Sequence, residues 1–199
     1  MRQGSSDAAA TGIAVKTQGN TRSTVRLLLL SLGFTAAMVG AAHIKLWLPF
    51  SPVPLTMQTF VVLLAGLSLG AAWGGWSQVQ YLVLGILGLP AFVGGMAALA
   101  GPTGGYLVGF MVAATVVGAI YSALRTTAGA VVACVAGTAV IYLFGCLWLL
   151  VITGGPLAHV VTIGVVPFLP GDALKLAGAI AIVRGPVTGA AITRLLSHT

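Results

Sequence analysis

Pro170-Gly171-Asp172-Ala173-Leu174-Lys175 carries the only carboxylate after Asp7, and it lies within a long apolar stretch. Lys175 follows Asp172 by three residues, so on a helix both side chains project from one face. A lone charge at membrane depth costs roughly 2.5–3.5 kcal/mol on insertion scales. Such residues persist where they pair, line a wet cavity or bind something. An internal ion pair that only pins a helix explains the two charges but not the Pro-Gly sequence before them. A functional site accounts for both.

The rest of the chain decides whether that stretch is intramembrane. Of its 199 residues 58% are apolar and only 6% charged. Apolar runs repeatedly reach the roughly 20 residues that cross a bilayer. The alternation in segments of about ten residues that marks a membrane barrel is absent. The sequence therefore predicts an all-α integral membrane protein with six transmembrane helices and irregular Pro/Gly-rich outer loops. The net charge of +7 is not a nucleic-acid footprint, because the basic residues punctuate the ends of apolar runs. Cys134 and Cys146 share one apolar run, with neither a metal-ligand spacing nor a disulfide framework. They read as small buried side chains.

Residues 1–22 are polar, with scattered charges and no signal-peptide core, and read as a disordered cytoplasmic tail. Residues 23–199 form the membrane-embedded domain. Its first span runs from about Thr24 to Leu48 and places Ala37 and Ala41, with Ala36 and Gly40, on adjoining stripes of small residues. Such stripes let a second helix approach closely, within the chain or outside it. Next, Pro49, Pro52 and Pro54 fall within six residues and cannot continue a helix. Backbone of this kind must lie outside the membrane or line a protein cavity.

Spans at about 59–72 and 79–89 are separated by an uncharged turn at Gly74-Gly75-Trp76-Ser77-Gln78, with Trp73 and Trp76 in the aromatic belt. Tyr81 in the second of them is either an interfacial anchor or a cavity residue. A second irregular segment runs from Gly88-Leu89-Pro90 through Gly94-Gly95 to Gly101-Pro102-Thr103-Gly104-Gly105-Tyr106. Its glycines permit positive φ and close backbone approach, as a loop folding over a ligand requires. They are not a phosphate-binding loop, since no Lys follows and no strand precedes them. Spans at about 106–124 and 128–153 follow, then a connector with His159, Pro167 and Pro170. The last helix starts at Asp172, suited to the positive end of the helix dipole, and runs toward Arg194 past Arg184-Gly185-Pro186. At its depth Arg184 must snorkel or face the bundle.

Six spans with a cytoplasmic N-terminus place Lys16, Arg22, Arg26, Arg125, Arg184 and Arg194 at or toward the inside, which favours both termini in the cytoplasm. The proline segment, the Gly-Pro-Thr segment and the Asp172/Lys175 pair then share the outer side, walled by Trp47, Phe92 and Tyr106. Asp172 would accept from N–H groups and Lys175 would donate to a carbonyl or carboxylate, which suits a small polar solute.

Several blocks resemble the BioY family. They are Ser51-Pro52-Val53-Pro54-Leu55-Thr56-Met57-Gln58, Tyr81 with Gly85 and Gly88-Leu89-Pro90-Ala91-Phe92, Gly101 to Tyr106, and Pro170-Gly171-Asp172 with Lys175. The likeness runs in order from about Leu27 to Arg194. It implies six helices and a biotin-binding S component of an energy-coupling-factor (ECF) transporter in the inner membrane of a prokaryote. It also implies a transmembrane T component and two cytosolic ATPases as partners, and reorientation of the S component as the transport step. The resemblance assigns the biotin head group to Asp172 and Lys175. Gln58, Tyr81, Gly94, Thr103 and Tyr106, from the matched and adjoining segments, complete the expected substrate-binding set. T-component contact carries over to Ala37 and Ala41. No cofactor or metal is implied. The stretch from Gly94 to Ala100 departs from the pattern, being short and uncharged. Backbone N–H groups, Lys45 and Lys175 stay open as holders of the biotin carboxylate.

Two other classes compete. Intramembrane aspartyl proteolysis needs two carboxylates, nothing in sequence links Ser77 to His159 as nucleophile and base, and a metal-ligand cluster is lacking. A stand-alone secondary carrier would use Asp172 as a proton site. The chain has no nucleotide-binding motif, so any ATP dependence must come from partners.

Overall fold

The computed structural model describes residues 4–92 and 94–186, with side chains described from Ser23 onward. Helix α1 covers Gly4–His43, and its part apolar enough to cross a membrane is Ser23–His43. The helical backbone thus continues through most of the residues read above as a tail. Strands β1 (Lys45–Leu46) and β2 (Leu55–Thr56) pair antiparallel, Lys45 opposite Thr56. They clip together the ends of the proline segment. Inside it, Ser51 Oγ accepts from Val53 N at 3.2 Å and donates to Ile163 O at 2.7 Å. Proline-rich backbone lacks donors of its own, so a side chain supplies the tie.

Helix α2 spans Gln58–Ile86, but at Gly70 the backbone turns to φ 75°, ψ −175°. Gln58 and Tyr81 lie 23 residues apart, yet their side chains hydrogen-bond at 2.8 Å. A straight helix would separate them by about 34 Å. The two arms, residues 58–69 and 71–86, are therefore folded back on each other. The reversal falls at Gly70, earlier than the predicted turn at 74–78. Gly74 instead serves the crossing, where a Cβ would come within 3.0 Å of Gly66 Cα. Close backbone approach is the main source of packing energy where lipid is as apolar as protein.

A short helix α3 (Ala97–Ala100) interrupts the second irregular segment. Helix α4 (Gly104–Leu124) ends at Arg125, held in the left-handed region at φ 47°. A Cβ on Gly118 of α4 would overlap the Gly70 backbone, so the tip of the α2 reversal is seated on a glycine. Helix α5 (Thr127–Thr153) begins with Thr126 Oγ1 accepting from Gly129 N at 2.9 Å and stops at Gly154 with φ 61°. Helix α6 (Leu157–Gly164) and a 3-10 turn (Val166–Phe168) occupy the connector.

Helix α7 covers Leu169–Arg184. Pro170 does not break it but sits in its first turn, where a missing N–H costs nothing. Arg194 lies outside the described residues. Among the described residues, five helices are long and apolar enough to cross a membrane, α6 to α7 counted as one. One core cluster includes Met38, Val62, Tyr81, Phe110 and Phe168; a second includes Leu63, Leu67, Val117, Cys134 and Val183. Cys134 and Cys146 are both free and buried.

Candidate functional site

Asp172 and Lys175 stand one turn apart in the first half of α7, only 5% and 8% exposed. Lys175 Nζ lies 2.7 Å from Asp172 Oδ1, and Tyr142 of α5 donates to Oδ2 at 2.6 Å. The pair is neutral as a unit, which limits the cost of burying it. One carboxylate so held has acceptor capacity to spare, and the ammonium keeps two of its three donors.

The group opens onto a cavity of about 260 Å³. The first irregular segment contributes Trp47 and Pro52 to Pro54; the second contributes Phe92, Gly94, Gly101 and Pro102. Phe110, Ile141 and Phe168 supply apolar wall from three further elements. Asp172, Lys175, Gln58, Tyr81, Gly94, Thr103 and Tyr106 all line this one space, although they come from four regions of the sequence.

Their polar atoms do different things. Tyr81 Oη accepts from Gln58 Nε2 and donates to Ala91 O at 3.0 Å. Thr103 Oγ1 donates to Ala98 O at 2.9 Å, and Tyr106 Oη donates to Gly164 O at 2.7 Å. These three hydroxyls tie backbone to the lining residues: the Ala91 loop, α3 at Ala98 and the end of α6 at Gly164. Gln58 Oε1 accepts from Thr56 Oγ1 at 3.2 Å, and one amide N–H has no partner among the described residues. Gly94 has φ 95°, a left-handed conformation that a side chain would strain. Phe92 packs edge-on against Tyr81 with ring centres 5.2 Å apart, and fills the space over Gly85 that a Cβ would take. Free hydrogen-bonding capacity is thus concentrated at Asp172 and Lys175. At the rim, Lys45 Nζ sits 5.8 Å from the centre of the Trp47 ring, outside the cavity lining.

Outside the cavity the placements are mixed. Ala37 is exposed, but Ala41 is only 5% exposed and packs in the core. Four residues advance a helix by slightly more than one turn, which is enough to rotate Ala41 inward. The exposed small face is Gly33, Ala36, Ala37 and Gly40. His159 is exposed on α6 and does not line the cavity. Sequence reasoning missed Tyr142. Its signal was available: a phenol inside Val140–Leu143, mid-span, needs a partner for its O–H.

Intramembrane helices around one solute-sized cavity, with a buried ion pair at its wall and two irregular segments over it, define a small-solute-binding membrane protein. The chain belongs to the BioY family, whose model matches residues 14–191. A probable biotin transporter BioY of Pyrococcus horikoshii is 38% identical over 157 residues, covering 77% of this chain and 91% of that one. The biotin transporter BioY of Thermotoga maritima is 38% identical, covering 72% and 85%. The crystal structure of an S-component for biotin from an ECF-type ABC transporter superposes with TM-score 0.75 at 28% identity, covering 82% of this chain and 91% of that one.

Proposed function

We propose that the chain is the biotin-binding S component of an ECF-type transporter, and not an enzyme. The observation that carries this reading is the neutral Asp172–Lys175 pair at the wall of a cavity of about 260 Å³. A cyclic urea head offers N–H donors to the carboxylate and a carbonyl to the ammonium, while apolar walls receive the bicycle and its tail. The tail carboxylate faces the rim, where Lys45 is the available cation. Family membership and the biotin S-component likeness support the same ligand.

The finer placement belongs to the same reading. Counting the arms of α2 separately makes six crossings, with the Pro/Gly-rich segments on the outer side. Both termini and residues 1–22 are then cytoplasmic, in the inner membrane. Arg125 and Arg184 meet at the opposite end from the cavity, Arg184 Nη1 lying 3.4 Å from Arg125 O, and this basic cluster supports that orientation under the positive-inside rule. The face bearing Ala37 contacts a T component, and ATPase subunits supply the energy. No cofactor is needed for binding. A stand-alone carrier using Asp172 as a proton site is the weaker reading, because both carboxylate oxygens already accept from Lys175 and Tyr142.

Equilibrium binding of labelled biotin to the detergent-purified chain tests the proposal. Saturable tight binding is expected, and competition by other vitamins should be poor. Wild-type protein that binds biotin no better than the Asp172→Asn, Lys175→Met double variant would defeat it.

A further inference from the structure

We propose that Tyr142 is a positioning residue for head-group recognition, acting through Asp172 from across the α5–α7 seam; this rests on the biotin reading above. Lys175 belongs to the same helix as Asp172 and moves with it. Among the described residues, Tyr142 is the side chain from another helix that holds the carboxylate, at 2.6 Å on Oδ2, while Lys175 takes Oδ1 at 2.7 Å. A carboxylate rotates easily about its terminal torsion, whose preferences are broad. Two donors, one per oxygen and from different helices, stop that rotation and leave acceptor capacity on both oxygens for the cavity.

The hydroxyl of Tyr142 has its proton engaged on Asp172, so it does not offer that donor to a ligand. Tyr142 also lines the cavity, together with Ile141 and Asp172. The consequence is selectivity. Asp172 is presented as an oriented acceptor, which rewards a neutral head carrying N–H groups and penalises one in which those hydrogens are replaced. Phenol-to-carboxylate bonds are charge-assisted and gain strength among apolar walls.

The test is Tyr142→Phe, which keeps the ring and removes the O–H. The chain has only two acidic side chains, Asp7 and Asp172, so isotope-labelled aspartate in an Asp7→Asn background isolates the Asp172 carboxylate in the infrared. Its stretch in the ligand-free protein should shift on Tyr142→Phe. The dissociation constant for biotin should rise about 10- to 100-fold, as expected for one bond to a charged group. It should rise less than about twofold when Asp172 is already Asn. Preference for biotin over biotin methylated on its ureido nitrogens should shrink in Tyr142→Phe. A purely structural role would weaken both ligands equally and leave that ratio unchanged. An unmoved carboxylate band, an unchanged ratio or additive losses in the two variants would each overturn the proposal. A band that shifts in a protein that binds no biotin would keep Tyr142 as the residue orienting Asp172 and overturn the biotin reading alone.

Discussion

The two ends of the molecule are built on different principles. At the end bearing Gly70 and Arg125, backbone meets backbone: Gly118 receives the reversal of α2, and Gly74 lies against Gly66. At the cavity end, single side-chain bonds hold the irregular segments and the end of α6 in place: Tyr81 to Ala91, Ser51 to Ile163, Trp148 to Gly101 and Tyr106 to Gly164. Close-packed glycine contacts deform little, because interiors are bistable or rigid rather than soft. Single hydrogen bonds are worth only about 0.5–1.5 kcal/mol each in net terms. The two ends therefore resist deformation to different degrees. One end is a fixed base; at the other, the hydrogen-bonded segments are seated by Val53 and Phe92, which pack in the core.

The sharpest way to break this contrast is at the ion pair. Lys175→Met leaves Asp172 buried without its cation, a loss of about 3–5 kcal/mol. Biotin binding should vanish in titrations, while an Asp172→Asn, Lys175→Met double variant should recover thermal stability but not binding. Gly118→Ala comes next. Its Cβ collides with the Gly70 backbone, so unfolding in detergent should be eased by about 1–3 kcal/mol. Affinity in the protein that remains folded should change less than stability does, and a specific loss of affinity at unchanged stability would contradict the fixed-base picture.

Tyr106→Phe cuts the tie between α4 and the end of α6 and leaves Gly164 O unpaired, for about 1 kcal/mol. The expected signature is faster biotin dissociation, read by chase experiments, with little change in the association rate. The smallest effect on the cavity is expected from Ala37→Leu. Biotin affinity should stay within about twofold, while co-purification with a T component should fall. Weakened binding with intact assembly would place Ala37 in the wrong role.

Much of this was legible in the residues. The apolar runs, the prolines at 49, 52 and 54, and the spacing of Asp172 and Lys175 each have one dominant physical meaning. Hydropathy marks a span, proline denies it, and an (i, i+3) pair on a helix shares a face. The reversal in α2 was harder. Gly70 and Gly74-Gly75 are equally permissive as letters, and the pair looked like the turn. Gly70 takes the positive φ because Gly118 makes room for its tip, and Gly74 is then needed against Gly66. Ala41, which packs in the core, shows a similar limit: a small residue allows close approach without saying which neighbour uses it.

Residue order alone makes this chain a bundle of apolar helices with one buried charge pair and two breaks that cannot face lipid. Those outcomes follow from transfer energies and backbone chemistry, which depend on residue type and local order. It takes the packed fold to set Tyr142 on Asp172, to aim the hydroxyls of Tyr81, Thr103 and Tyr106 at carbonyls, and to bring Gln58 to Tyr81 through the folded-back arms. Those depend on which surfaces meet at distances of a few ångströms, and in a membrane many pairings of apolar helices are nearly equal until small residues and polar partners select one.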